Sequence, residues 1–488
     1  MGNSPEGCLV QMSVQNKTLS NWASTHTCTP KDVFYPENIS QVQDVVRLCQ
    51  SDHRKLRVMG AGHSPNAIAM SNDIVMSLDK MDKLFSVSSA AAEEEEVNGS
   101  GRGIGIAHFE GGIRLREAHV VLQKEGYCFS NVGSISEQSL AGVICTAAHG
   151  TGMTFGSICS TVREILFVNA NAEVVRCSGQ ENPNIFKAIL CGLGCIGIIV
   201  EVKVEVSSLF KLLSHQRLVT WEGLWEVCEQ KMREHRHFRW WWFPLTTHVV
   251  EWHADAVEWG KEATELEAIE SELQGGIKIK IEEASVVVQG AEATSIAMGP
   301  LLEKMLLEGL HNAEVVRAIN ESYATVCFAA PQLRLGHPAH ILNFNCLFAQ
   351  FVDEWAIPYR HTQAAMTALR QWIADHNYPA HFPIEVRFTR GDGEVYLSPV
   401  QGDELYCYIG IISFRPYGKH SQNIEPYFSA FEQIMRQYEG RPHWAKEFKL
   451  TKEQLQAMYP QWSEYQQVRQ TLDPQGIFLN PWAEALFS

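Results

Sequence analysis

Two short segments carry ionisable side chains in patterns that aim them at a single target. Glu385 and Arg387, in Ile384-Glu385-Val386-Arg387-Phe388, lie two apart in a β-rich run, so a strand would put both on one face. A carboxylate beside a guanidinium accepts from and donates to a polyol at once, and the guanidinium also stabilises developing negative charge. The same spacing fits a surface ion pair. Gly60-Ala61-Gly62-His63-Ser64-Pro65 follows the β-rich run Leu56-Arg57-Val58-Met59. Successive backbone N–H groups in such a turn form a concavity for an anion such as a diphosphate. Read alone, His63 is equally a loop histidine satisfied by a neighbouring carbonyl.

Two further motifs are set aside. Gly192-Leu193-Gly194-Cys195-Ile196-Gly197 spells the glycine pattern of a nicotinamide Rossmann turn. Such a turn needs a strand before it and a helix after it, because the pyrophosphate sits on the helix N-terminus. Here a helix precedes the glycines and Ile198-Ile199-Val200-Glu201-Val202 follows as a strand. The glycines read as a close approach of backbone to a ligand or to a neighbouring strand. His337 and His340 are three apart, but Pro338 disfavours the helix that would align them, and no metal site is expected.

The elements that must position the first two segments divide the chain near residues 207–212. Before it, short strands at Leu56–Met59, Ile74–Leu78, Leu84–Val87, Val162–Val168 and Val174–Cys177 alternate with helical patches at Ala118–Glu125 and from Pro183 to Leu190, with Asn182 as its cap. Ile196–Val206 alternates like a half-buried strand. Glu93–Glu96 and the breakers after it read as a solvated hairpin tip. Beyond the boundary, Trp221–Arg239 is a helical pattern and Trp240–Pro244 an aromatic strand. Glu262–Leu310 is helical around Gly275-Gly276, residues 340–415 return to strands with a helix at Thr362–His376, and Thr451–Leu472 is helical. The expected units are residues 1–207, 208–440 and 441–488, the last packing back on the first.

Of the 488 residues, 45% are hydrophobic and 20% charged, an ordinary globular composition with room for two or three domains. The formal charge of −16 repels phosphate backbones, so nucleic acid is an unexpected partner and an anionic substrate would need a local basic pocket. Thirteen cysteines without a pairing framework read as buried free thiols in a reducing compartment. The N-terminus has neither the basic start nor the apolar core of a signal peptide, and Glu6 stands where myristoylation wants Ser or Thr. The longest uncharged stretch, Gln138–Val162, is too polar to span a bilayer. The expected location is the cytoplasm or the periphery of an intracellular membrane, without secretion.

Asn21-Trp22-Ala23, the Gly60–Pro65 loop, Gly133-Ser134-Ile135-Ser136-Glu137-Gln138-Ser139-Leu140-Ala141-Gly142 and Ala148-His149-Gly150-Thr151-Gly152 resemble the FAD domain of the vanillyl-alcohol oxidase superfamily. More specific are His381–Asp392, Arg415-Pro416-Tyr417-Gly418-Lys419, Arg441-Pro442-His443-Trp444-Ala445-Lys446 and Leu472–Asn480, which are similar to the aldonolactone oxidases. The resemblance runs from about residue 20 to the end, with residues 255–335 unmatched. It implies an α+β fold: a two-part FAD domain of the PCMH type and an α+β cap domain built on an antiparallel sheet.

By that resemblance FAD is bonded to His63, and Gly60, Ala61, Gly62, Ser64 and Pro65 cradle its diphosphate. Gly133, Ser134, Ser139, Gly142, His149, Gly150, Gly152, Ile198 and Val200 line the cofactor. Glu385, Arg387 and Lys446 are the implied catalytic residues, Lys446 supplying positive charge beside the flavin. The implied reaction is oxidation of L-gulono-, L-galactono- or D-arabinono-1,4-lactone at C2 to an ascorbate-type enediol. Related plant-type dehydrogenases have alanine where Gly133 stands and lack the histidine of the loop, so the resemblance implies O2 as acceptor and hydrogen peroxide as product. An alditol or sugar oxidase, a lactone dehydrogenase with a protein acceptor, and a flavin-free binding protein are the competing readings. The animal relatives carry an apolar segment in mid-chain. Here residues 255–335 hold Glu262, Glu265, Glu267, Glu270, Glu272, Lys278, Lys280, Glu282 and Glu283, and no embedded helix is expected.

Overall fold

A computed structural model describes residues 9, 11–89, 103–258, 285–287, 291–420 and 423–488. Two larger sheets and a two-stranded ribbon, Leu19–Ser20 with Thr27–Cys28, build the N-terminal part. In the smaller, Asp32–Phe34, Ile74–Met76 and Leu56–Val58 run parallel, with Ser13–Gln15 antiparallel at one edge. The three parallel strands are largely buried on both faces, with Phe34, Leu56, Ile74 and Met76 under the helix Ile39–Asp52 and Val33 and Val75 in a second core. The second sheet is antiparallel, in the order Val174–Ser178, Val162–Val168, Ile198–Ser208, Ile104–Glu110, Leu84–Ser89.

Leu209 separates this sheet from the next, which Phe210–Thr220 enters directly. That sheet has nine antiparallel strands: Ser285–Val287, Gln332–Gly336, Phe210–Thr220, His248–Glu258, His237–Trp242, Ile384–Arg390, Leu405–Phe414, Gln350–Pro358 and Arg441–Pro442. The period of two sorts its side chains. Trp240, Trp242, Val386, Phe388, Ile409 and Ile411 point into a core closed by the helices Trp221–Glu234, Thr362–Asp375 and Ile424–Gln437. Trp241, Glu385, Arg387 and Gly410 face the other way, into a chamber. The last helices return to the N-terminal part, where Leu455, Tyr459, Trp462, Tyr465 and Phe487 join the core of Phe109, Leu140 and Phe167.

Several expectations shift. The helix from Trp221 ends at Glu234, and Arg239 lies in the aromatic strand, where alternation with buried Phe238 and Trp240 carries it to the chamber side. Ser285–Val287 is a strand paired with Arg334–Gly336, so the helical pattern from Glu262 does not run unbroken to Leu310; the described helix begins at Ala291. Most of that segment, with its charged residues from Glu262 to Glu283, lies outside the described residues, as does the Glu93–Glu96 tip. Pro460 splits the tail into Lys452–Met458 and Trp462–Leu472. Asn182 precedes its helix in the left-handed region but gives no side-chain cap; its amide donates to the Arg176 carbonyl. Pro338 opens a one-turn helix, Pro338–Leu342, because a first-turn proline loses no hydrogen bond. The described cysteines are free and all but Cys145 and Cys346 are buried. No described helix is long and apolar enough to cross a membrane.

Candidate active site

The strand Leu56–Val58 delivers the chain into the glycine turn. Gly62 has φ of +67°, a conformation glycine adopts without strain. A Cβ on Gly60 would lie 2.2 Å from Ser139 Oγ, and one on Gly142 2.8 Å from the same atom, so side chains are excluded where the two glycine segments meet. The turn is fastened from both sides. Asn21 Nδ2 donates to the carbonyls of Ser64 (3.1 Å) and Pro65 (2.9 Å), and Trp22 N donates to Gly62 O (2.7 Å). Asn66 Nδ2 donates to the carbonyls of Trp444 and Lys446, each at 2.8 Å, which fixes the lysine to the loop.

Beside the turn runs a cavity of about 930 Å³, walled by Gly60, Gly62, Ser139, Gly142, Gly194 and Ile198 among others. Arg57 is in its wall, but its guanidinium donates to the carbonyls of Ile68, Leu193, Gly194 and Phe478 and serves to hold those segments together. Backbone N–H groups, with the hydroxyls of Ser64 and Ser139, are the donors this wall offers to an anion. His63 stands at the end of this cavity and is also in the wall of the next. Its ring lies 15° from parallel to that of Trp22, with centroids 6.4 Å apart. Burial, then the positive charge of Arg114, lowers its pKa, which leaves the imidazole neutral with a free nitrogen lone pair.

The second cavity, about 1570 Å³, is the chamber over the nine-stranded sheet. Two rungs of the sheet make its polar floor. Trp241, Glu385, Gly410 and Glu354 pair in sequence across four strands. On the neighbouring rung Trp252, Arg239, Arg387 and Tyr408 do the same. Glu385 is bonded by Arg387 through Oε2 and accepts from Trp241 Nε1 at 2.9 Å through Oε1. Burial opposes its ionisation, but Arg387 and Arg239 prevail and hold the carboxyl below its ordinary range; the Arg387 pKa is raised in turn. At the missing side chain of Gly410 the floor opens between the two carboxylates.

Glu354 is the second carboxylate. The strand Arg441–Pro442 pairs with Gln350–Pro358, and His443 N donates to Glu354 O at 2.8 Å. One turn on, Lys446 Nζ sits 3.4 Å from Glu354 Oε2, while His149 Nε2 is 3.4 Å from Oε1. Burial disfavours the charge on Glu354, yet Lys446, His149 and Arg387 hold its pKa well below the usual value. His149 stacks on Tyr408 at 3.5 Å between centroids. Burial lowers the His443 pKa to about 3, so this ring is neutral. His149, Glu354 and His443 offer a three-atom cluster, but Lys446 already occupies the carboxylate.

The structure thus gathers Gly60, Ala61, Gly62, Ser64, Ser139, Gly142 and Ile198 around the first cavity, and Pro65, Ser134, Glu385, Arg387 and Lys446 around the chamber, with His63 in both. Gly133, His149 and Gly150 line a separate, smaller cavity of about 460 Å³. Gly152 and Val200 line none of these. Gly152 N donates to Phe388 O, which ties the segment to the strand carrying Arg387, and Val200 is wholly buried beneath the helix Ile39–Asp52. Sequence reasoning missed Asn66, Arg239, Trp241 and Glu354. Glu354 had a signal: Asp353-Glu354 interrupts an otherwise apolar strand, and buried carboxylates are rare without partners.

A cofactor of FAD's shape fits these residues. The glycine walls leave a groove, and beside His63, where it meets the chamber, Ser134 Oγ, His63 Nδ1 and Asn343 Oδ1 are buried with no partner in the protein. Such atoms are costly unless a ligand completes them.

Comparison with known proteins agrees. The sequence profile of the D-arabinono-1,4-lactone oxidase family matches residues 202–486, and an FAD binding domain profile matches residues 30–178. L-gulonolactone oxidase of Mus musculus is 30% identical over 96% of this chain and 97% of its own length. The D-arabinono-1,4-lactone oxidase of Kluyveromyces lactis is 28% identical over 89% of this chain and 85% of its own. Among solved structures, a solvent-stable cholesterol oxidase superposes over 100% of both chains with a TM-score of 0.79 at 14% identity, a likeness of fold.

Proposed function

The chain belongs to the D-arabinono-1,4-lactone oxidase family of FAD-dependent oxidoreductases, and from that premise we propose that it oxidises L-gulono-, L-galactono- or D-arabinono-1,4-lactone at C2, reducing O2 to hydrogen peroxide, with FAD joined to His63. The observation that carries this reading is the position of His63 in the walls of both the glycine groove and the chamber. A cofactor tethered there would lie with its nucleotide end along Gly60–Ser64 and its reactive end over Glu385 and Arg387.

FAD, when bound, would supply the two-electron redox chemistry between the C2 alcohol and oxygen. The protein's part is orientation and charge. Glu385, fixed by Trp241 and Arg387, accepts from a lactone hydroxyl, while Arg387 donates to an adjacent oxygen. With its pKa held low, Glu385 is an oriented hydrogen-bond acceptor for the C2 hydroxyl proton more than a strong base. Lys446, fixed through its carbonyl by Asn66 and through its ammonium by Glu354, places positive charge at the junction where negative charge gathers during the reaction. The neutral His63 ring suits a nucleophile in a covalent link. Oxidation of the C2 alcohol releases two electrons and two protons, which O2 takes up as hydrogen peroxide; the ketolactone then enolises.

Oxidation of an open-chain alditol on the same floor is a second reading, favoured by the Glu385–Arg387 pair, which can accept from and donate to any vicinal diol. One experiment addresses both. Purified protein is precipitated with acid and its colour recorded, then peroxide is assayed with the three lactones and with alditols. A yellow pellet and lactone-dependent peroxide are expected. Colourless protein that added FAD does not reconstitute, or lactone-dependent reduction of dyes without peroxide, overturns the reading.

A further inference from the structure

The chamber is cationic in a protein that is not. Apart from Arg334, which is partnered elsewhere, its charged walls are Arg239, Arg387 and Lys446 against Glu354 and Glu385. Lys446 pairs with Glu354, and Arg387 with Glu385. Arg239 has no carboxylate within ion-pairing distance among the described residues, although it is 3% exposed. Its Nη1 donates to Leu342 O at 3.1 Å, its Nε has no acceptor, and the guanidinium lies 4.3–5.0 Å from the ring centroids of Trp252, Phe344 and Trp241. The chain's formal charge is −16, so this excess is local.

The sheet register sharpens the point. Arg239 and Arg387 are direct partners on neighbouring antiparallel strands. Like charges in that relation repel, and a single carboxylate, Glu385, stands between them and neutrality. Burial, with Arg387 and Arg334 adding to it against the pull of Glu385, pushes the Arg239 pKa down to about 9. An arginine serving only to hold the fold would be expected to end on a carboxylate or to have its donors filled by carbonyls, as Arg57 has. Arg239 is instead held flat by aromatic faces with donors to spare beside the floor where substrate binds.

We propose that Arg239 is the binding residue for an anionic oxygen on the ligand, and that the chamber selects sugar-derived ligands that carry one. Two sources fit the chemistry and rest on the lactone reading above: the ionised enediol of the product, and the carboxylate of the open-chain sugar acid formed by lactone hydrolysis. The inference deepens that reading by naming a charge requirement which a neutral lactone meets only once it has been oxidised and enolised.

The test is equilibrium binding to the holoenzyme with its flavin photoreduced and kept anaerobic, so that lactone cannot be oxidised, read by quenching of tryptophan fluorescence, to which Trp241 and Trp252 beside Arg239 contribute. The probes are ascorbate, L-gulonate and neutral L-gulono-1,4-lactone. Wild-type protein is expected to bind at least one of the two anions with an affinity that falls as salt rises, while lactone binding responds little to salt. In Arg239→Gln the ratio of anion to lactone affinity is expected to fall by about tenfold or more, and Arg239→Lys is expected to retain part of it. Ascorbate alone as the binder identifies the product enediolate; gulonate alone identifies the carboxylate; both identify a general anion site. Failure of both anions to bind wild-type protein, or equal loss of anion and lactone affinity in Arg239→Gln, overturns the proposal. Because no turnover is involved, failure to oxidise lactones would be seen separately.

Discussion

Lys446 meets Glu354 across the seam between the glycine loop and the nine-stranded sheet, with Nζ 3.4 Å from Oε2. The carboxylate is 5% exposed and would be costly without a partner, while the lysine hangs from the loop by its carbonyl on Asn66. The ion pair thus reinforces a junction already held by the bond from His443 N to Glu354 O and by the Asn66 bonds to Trp444 and Lys446.

Lys446→Met is expected to cost about 3 kcal/mol of stability, because it leaves Glu354 buried beside only His149 and the more distant Arg387. Lys446→Met combined with Glu354→Gln should restore most of that stability while activity stays low. Thermal midpoints and lactone turnover of the two variants check this. If the double variant recovers activity as well, the charge of Lys446 plays no part in the reaction.

Gly133 carries the expectation about oxygen. A Cβ there would meet His149 O at 3.3 Å, tighter than ordinary contact, and His149 O is also the acceptor, at 3.5 Å, for Arg387 Nη1. Gly133→Ala must therefore displace this segment slightly or fill the space beside it. The expected outcome is a fall of on the order of tenfold in peroxide production with dye reduction by lactone retained. Equal retention of both activities removes Gly133 as the gate.

Spacing alone suggested the two segments and left their roles open; the resemblance assigned them. The two-residue interval of Glu385 and Arg387 reports a shared face whatever the surrounding sheet, and the glycine loop reports a cradle. Arg239 was hidden because its segment reads as helix as readily as strand; only the pairing with Ile384–Arg390 decides it. Trp241 was visible as an aromatic residue, but which of three successive tryptophans faces the chamber is fixed by register, and a slip of one would exchange them. Asn66 acts over 380 positions of sequence, a distance that no local pattern encodes. Gly152 and Val200 illustrate the reverse: resemblance marks a segment, whereas alternation and close packing decide which of its residues reach the groove.

A pH dependence of stability arises away from the site. Burial raises the Glu432 pKa to about 7, with Glu425 adding to it, against the donor Lys449 N at 3.0 Å. In the unfolded chain the group ionises near pH 4.3. The folded protein therefore holds an extra proton between those values, and the stability this contributes is complete below about pH 4.3 and lost as pH rises through about 7. Glu432→Gln does not ionise, so its thermal midpoint should exceed that of the wild type at pH 8 by an amount equivalent to up to about 3 kcal/mol, with the gap narrowing at pH 5. An unchanged gap across that range would contradict the shift.

His63→Ala tests the tether separately from the cradle. Most hydrogen bonds that shape the loop come from Asn21, Trp22 and Asn66, and the imidazole adds only one, to the Ala61 backbone. The variant should fold and take up FAD from solution, yet yield a colourless pellet after acid precipitation where the wild type gives a yellow one. A pellet that stays yellow places the link on another residue.

Glu385 and Arg387 form one unit, and their variants should show it. Glu385→Gln removes the charge that Arg387 answers but keeps an acceptor for Trp241, and Arg387→Lys keeps the charge but loses the planar fork. Each is expected to lower kcat/KM for the lactone by roughly a hundredfold, and the double variant by little more than either alone, because residues that act together fail together. Rapid-mixing measurement of cofactor bleaching by lactone under anaerobic conditions separates the first half of the reaction from reoxidation, and the loss should fall wholly in that half. A purely structural ion pair predicts otherwise: the single variants would lose stability, the double variant would regain it, and bleaching by lactone would proceed at the wild-type rate in all three.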